Sequence, residues 1–228
     1  MLHTEPKILW PEVTKFIGQL NHDLRNYLNA VELQTAFLGE LIAEPEARAE
    51  IKRLREMTAE MCAHLQKLST TLAKVEPRAM RYPAADLFED VRTRLTLEQP
   101  EQSAAVDWNV SLGKEMLEID PELLLEAFVE LFANAGRHGR AEGRLVVEVR
   151  RQSNAIEFSL REPKAQFNGA TEEWGARPLQ HLRSGHYGLG LFRARGIFEA
   201  HHAHYRVQFD PAASILHTTV SFPAEAAS

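Results

Sequence analysis

Between residues 8 and 76, apolar side chains recur at the three- and four-residue spacing of helices that bury one stripe. With Ile17 at position a of a heptad, the a positions hold Trp10, Ile17, Leu24, Val31 and Leu38. The d positions hold Val13, Leu20, Tyr27, Gln34 and Leu41, so only Gln34 interrupts the seam. The pattern breaks at AEPEA (43–47), where Pro45 suits the first turn of a new helix. A second repeat follows through Ile51, Leu54, Thr58, Met61, Leu65, Leu68, Leu72 and Val75. Two long helices and a short turn predict an antiparallel hairpin. One hairpin cannot cover two seams alone. A second copy covers them in a dimeric four-helix bundle; the alternative is burial against the rest of the same chain.

Near residues 76–83 the period changes. The stretch 82–95 reads as a helix, AVDWNVS and EMLEID as short strands, and PELLLEAFVELFANAGRHG (121–139) as a strong helix with Asp120 as cap and Pro121 in its first turn. RLVVEVRRQ and AIEFSLRE alternate like paired strands joined by a polar turn. GLGLFRARGIFEAHHA (188–203) is helical behind a glycine-rich start, and HYRVQF and ILHTTVSF close as strands. Strands and helices without strict βαβ order predict an α+β sandwich: one sheet with helices on one face. The expected domains are 1–77 and 78–228.

Composition narrows the classes. The 228 residues are 44% hydrophobic, as in a globular protein. No apolar run is long enough for a membrane span, and the N-terminal residues have no secretory pattern. Cys62 is the single cysteine, which excludes an internal disulfide and fits a reducing cytosol. The net charge of −6 argues against a nucleic-acid partner, although Arg137, His138 and Arg140 form a local cluster that could hold an anion.

The candidate chemistry lies in QLNHDLRNYLNAVEL (19–33). His22 falls at position f, the outermost point of the helix, with Arg25 and Asn26 on its face and Asp23 beside it. An imidazole with one nitrogen's proton held by a carboxylate leaves the other nitrogen free as a nucleophile. That suits accepting a phosphoryl group; a merely solvated histidine is the plain alternative. The stretch FIGQLNHDLRNYLNAVELQTAFL resembles the phospho-acceptor box of two-component histidine kinases. The resemblance implies that His22 is the phosphorylated residue, that Asp23 acts as base, and that Asn26 positions water for dephosphorylation of a partner. Where the family usually has proline, this chain has Tyr27.

The resemblance extends to the second half. ELFANAGRHG (130–139) is similar to the family's asparagine box. This implies that Asn134 would ligate Mg²⁺, that Glu130 would polarise the metal's water, and that Arg137 and His138 would meet the phosphates of Mg·ATP. GHYGLGLFRARGIFEAHHA (185–203) is similar to the glycine box, so Gly188 and Gly190 would let the backbone approach the phosphates. The family's Asp-x-Gly-x-Gly, whose Asp accepts the adenine amino group, is missing. SLREPKAQF (159–167) takes its place, with Arg161 near the expected Asp, Glu162 next to it, and no glycine before Gly169. A register shift would bring Glu162 in only by turning it to the other strand face. The lid, 164–184, is short and holds Trp174 and Pro178.

The fold implied is a dimeric helical hairpin followed by a degenerate ATPase-like α/β sandwich. Three functions are compatible with it. In the first, His22 exchanges a phosphoryl group with a response-regulator receiver aspartate and the second half is a scaffold that no longer binds ATP well. In the second, a soluble histidine kinase or phosphatase uses Mg·ATP through a variant site. In the third, a non-catalytic pseudokinase binds a regulator. The expected setting is cytoplasmic, as a homodimer, with a receiver docking around Gln19 and Asn26. His201, His202 and His204 do not share a helix face as metal ligands would. Trp108 and Trp174 read as core residues, Cys62 as filler beside the second seam, and Trp10 and Phe16 as the bundle's end.

Overall fold

The computed structural model describes residues 9–137, 141–164, 171, 174–179 and 188–223, without the side chain of Arg137. The chain forms two compact units that divide between Lys74 and Val75.

The first unit is a hairpin of α1 (Trp10–Leu41) and α2 (Pro45–Leu72). Pro11 lies in the first turn of α1, where its missing N–H costs nothing, and Glu12 reaches back to the Leu9 N–H at 3.3 Å. Pro45 opens α2 in the same way. The helices meet along rows spaced by seven residues: Asn21 and Thr35 on α1, Ile51 and Thr58 on α2, all buried, with Leu28, Leu65 and Leu72 half-buried. Asn21 Nδ2 donates to Ser69 Oγ at 3.1 Å, and Arg55 pairs with Glu32 at 2.8 Å. From Leu20 onward the a and d rows of α1 lie outside this contact. Leu20, Leu24, Tyr27, Val31, Leu38 and Leu41 are 40–72% exposed, and on α2 Leu54 and Met61 join them. Phe16 is also exposed, at 66%, so within one chain it does not pack the hairpin's end.

The second unit starts with β1 (Met80–Pro83), then α3 (Ala84–Glu98), the short α4 (Pro100–Ala104), β2 (Val106–Ser111), β3 (Met116–Ile119) and α5 (Pro121–Arg137). It continues with β4 (Leu145–Gln152), β5 (Ala155–Pro163), α6 (Gly190–Ala200), β6 (His204–Asp210) and β7 (Ile215–Pro223). The main sheet has the order β2-β4-β5-β7-β6, antiparallel except for the parallel β2–β4 pair. A single sheet was the expectation; β3 instead pairs antiparallel with β1 in a separate two-stranded ribbon. The reason is that Tyr82 and Pro83, read as the start of a helix, extend as strand before α3 begins at Ala84.

Strand β5 is central. Its burial alternates strictly, so Ile156, Phe158 and Leu160 face one side. There they meet Phe88 of α3, Phe128 and Phe132 of α5 and Phe198 of α6, with Phe128 and Phe158 rings 4.7 Å apart. These rings fill the layer between the sheet and its helices. Trp108 joins them against Phe132 at 5.5 Å, as expected of a core residue.

Candidate functional site

The helical period carries His22 to the outer face of α1, and its side chain is 69% exposed. Its Nδ1 lies 3.3 Å from Asp23 Oδ1, and the amide nitrogen of Asn26, one turn on, is 3.4 Å from the same Nδ1. That nitrogen can serve one neighbour at a time: protonated, it donates to Asp23; bare, it accepts from Asn26. Gln19 Nε2 donates to the same Asp23 oxygen at 2.9 Å. With Nδ1–H held by Asp23, the lone pair lies on Nε2, and among the described residues no hydrogen bond engages it. His22, Asn26 on its face and the adjacent Asp23 therefore form an exposed nucleophile with an oriented ring. Arg25, expected on the same face, instead reaches across to the Gln66 side-chain oxygen of α2.

In the second unit, Asp120 caps α5 by accepting from the Leu123 N–H at 3.2 Å. That helix presents Glu130 and Asn134, four residues apart, and both are half-buried. Gly188 adopts φ +60°, a conformation that favours glycine, ahead of the first turn of α6. At Gly190 the absence of a side chain is required by a neighbour: a Cβ there would run into the carboxylate of Glu130 and come within 3.0 Å of its Cγ. The structure thus brings Glu130 to the N-terminal end of α6. The roles inferred for the Arg137 side chain, His138 and Arg140, and most of the lid, fall outside the described residues.

The end of β5 separates Arg161 and Glu162 onto opposite faces. Arg161 points to the face away from the helices and pairs with Glu148 at 2.6 Å. Glu162 is the residue on the helix-covered face, continuing the row of Phe158 and Leu160, and it is 3% exposed. Lys164, two residues on and 2% exposed, forms an ion pair with it. The segment that follows α5 meets the same strand end, where the Ala141 N–H donates to the Pro163 carbonyl at 3.1 Å. The alternation of Ile156, Phe158 and Leu160 is the signal in the sequence for which of the two faces the helices.

Mg·ATP requires an acceptor for the adenine amine and an open helix N-terminus for its phosphates. As placed, Glu162 is taken by Lys164, and Glu130 lies against the start of α6. Among the described residues no cluster of histidines, cysteines and carboxylates could hold a metal ion. No helix there is long and apolar enough to cross a membrane. Trp174, expected in the core, lines a cleft of about 160 Å³ with Arg195, Tyr205, Arg206 and Gln208.

The chain matches no protein-family model and no curated protein. Solved structures are similar. The full-length ShkA structure in complex with AMPPNP aligns at a TM-score of 0.69 and 17% identity over 94% of this chain. This chain spans 46% of that one. A mycobacterial sensor histidine kinase, MprB, aligns at a TM-score of 0.52 and 15% identity over 65% of this chain and 99% of its own. The Acinetobacter baumannii histidine kinase AdeS aligns at 0.51 and 17% identity, over 89% of this chain and 97% of its own. The fold is that of a histidine kinase core: a helical hairpin followed by an ATPase-like α/β unit.

Proposed function

We propose that this chain carries phosphoryl groups in two-component signalling, with His22 as the carrier, as a homodimer whose partner is a response-regulator receiver domain. The observation that supports it most is the His22 ring, outward on α1 with Nδ1 beside Asp23. The Nε2 lone pair attacks the phosphorus of an aspartyl phosphate. The N–P bond forms as the P–O bond to the aspartate breaks, and that electron pair leaves on the receiver's carboxylate. The ring's proton stays on Nδ1, held by Asp23, and the reverse step returns the phosphoryl group to a receiver. Gln19 and Asn26 flank the ring and form the surface a receiver meets. Asn26, whose amide nitrogen lies 3.4 Å from Nδ1, would hold a water for release of phosphate from a partner.

A second reading is a histidine kinase that takes the phosphoryl group from Mg·ATP through Asn134 and the glycine-rich start of α6. The ShkA structure, of the same fold, contains AMPPNP, and that favours it. One experiment separates the two. The protein is offered a ³²P-labelled phospho-receiver in one tube and [γ-³²P]ATP with Mg²⁺ in another. Acid-labile label taken from the receiver, and lost in His22→Gln, is the expected result. Label from ATP establishes the kinase reading. Equal labelling of the wild type and His22→Gln, or no labelling from either donor, overturns both and leaves a protein that only binds its regulator.

A further inference from the structure

Among its described residues the hairpin buries three polar side chains: Asn21, Thr35 and Thr58. Both threonines satisfy themselves within their own helix. Thr35 Oγ1 donates to the Val31 carbonyl at 2.9 Å, and Thr58 Oγ1 to the Leu54 carbonyl at 2.8 Å. Such bonds hold at any rotation of one helix against the other. Asn21 differs. It is 2% exposed, and its Nδ2 donates across to Ser69 Oγ of α2 at 3.1 Å. One turn on, Arg25 crosses to the Gln66 side-chain oxygen. Two polar ties between the helices therefore flank His22. A leucine at position 21 would bury apolar surface in the same place without desolvating an amide. What the amide adds is direction: apolar contact tolerates rotation, and a buried amide turned away from its partner is unfavourable. Successive side chains on a helix stand about 100° apart. With Asn21 aimed at α2, His22 is held round the helix and clear of α2, 69% exposed.

We infer that Asn21 and Ser69 are positioning residues for phosphoryl transfer: their hydrogen bond sets the rotation of α1 about its own axis, and with it the direction from which the His22 imidazole meets the phosphorus of a docked acyl phosphate. This rests on the carrier reading and adds the element that orients the carrier. The Nε2 lone pair must lie in line with the P–O bond that breaks. Rotating α1 misaligns the ring toward a donor fixed within a docked protein. A small donor that approaches freely is unaffected by the same rotation.

The test replaces the pair by apolar side chains, Asn21→Leu with Ser69→Ala, in the full chain. This variant should melt at or above the wild-type temperature. At saturating ³²P-labelled phospho-receiver its uptake should slow about tenfold or more, with the half-saturating receiver concentration unchanged. Phosphoramidate, whose P–N bond breaks as ammonia leaves, should label His22 in this variant and in the wild type at equal rates. Asn21→Ser with Ser69→Asn exchanges the partners and should restore uptake to within about twofold. Wild-type uptake by the apolar pair overturns the inference. So does a loss of uptake that accompanies lost melting or lost phosphoramidate labelling, and so does a folded exchange variant that stays slow. A wild type that takes no label from the receiver removes the carrier reading instead. The positioning is then decided by nitroxides on His22→Cys and Lys67→Cys in a Cys62→Ser background, with labelled chain diluted in unlabelled. Their distance distribution should be narrow with the native pair and broader or shifted with the apolar pair; equal distributions overturn the positioning.

Discussion

At position 22 the chemistry reduces to which ring nitrogen keeps its proton. Asp23 lies 3.3 Å from Nδ1 and favours N–H there, which sets the lone pair on the outward Nε2. Asp23→Asn removes that preference while leaving the ring exposed. Phosphoryl uptake from a labelled receiver should slow about 100-fold, the size typical of lost proton management, and the label should still reside on His22. A second residue-scale prediction concerns His201. Its ring donates from Nδ1 to the Ile197 carbonyl at 2.7 Å and accepts at Nε2 from the Asp120 N–H at 3.0 Å. Burial lowers its pKa from the ordinary 6.5, against the opposing effects of the Ile197 carbonyl and the Asp120 charge. Folded protein thus keeps this ring neutral where unfolded chain protonates it, so stability is lost as pH falls below about 6.5 and is unaffected above it. In urea titrations at pH 8 and pH 5.5, the margin of the wild type over His201→Gln should shrink at the lower pH.

At the scale of elements, β5 does the most. It pairs with β7 over its whole length and with β4 from Ala155 to Arg161, and its inner face carries Ile156, Phe158 and Leu160 against three helices. Phe158→Ala would leave a cavity among Phe88, Phe128 and Phe132. Denaturant unfolding should show a loss of about 3–5 kcal/mol in the second unit. The same alternation places Glu162 inward and Arg161 outward. The β4–β5 hairpin was legible from its two alternating runs and the polar turn between them, where Ser153 takes φ 55°. The β1–β3 ribbon was not, because MRYP is short and runs directly into a helix whose own pattern dominates the window.

For the whole molecule, the exposed stripe on α1 is the feature a single chain leaves unsolved. Leu20, Leu24, Tyr27, Val31 and Leu38 follow the heptad seam on the side that α2 does not cover. A second copy would bury this stripe, and apolar burial is the dominant gain in such association. Leu24→Glu with Val31→Glu should turn a dimer into a monomer by light scattering, with the helicity of the second unit unchanged by circular dichroism. A monomeric wild type at micromolar concentration would overturn the dimer proposal.

The sequence by itself determined what depends on period: two long helices with a break before Pro45, the outward position of His22, the alternating core face of β5 and the helical spans of α5 and α6. Local periodicity is written in the order of side chains and needs no partner to be read. Tertiary structure alone decided that on α1 the row of Asn21 and Thr35, and not Leu24, Val31 and Leu38 of the seam, faces Ile51 and Thr58 of α2; that EMLEID leaves the main sheet for a ribbon with β1; and that Glu162 meets Lys164 while Glu130 meets Gly190. Each of these is a contact between segments, or a choice of one face among several of equal local merit. Competition for burial across the whole unit makes that choice, and no local window contains it.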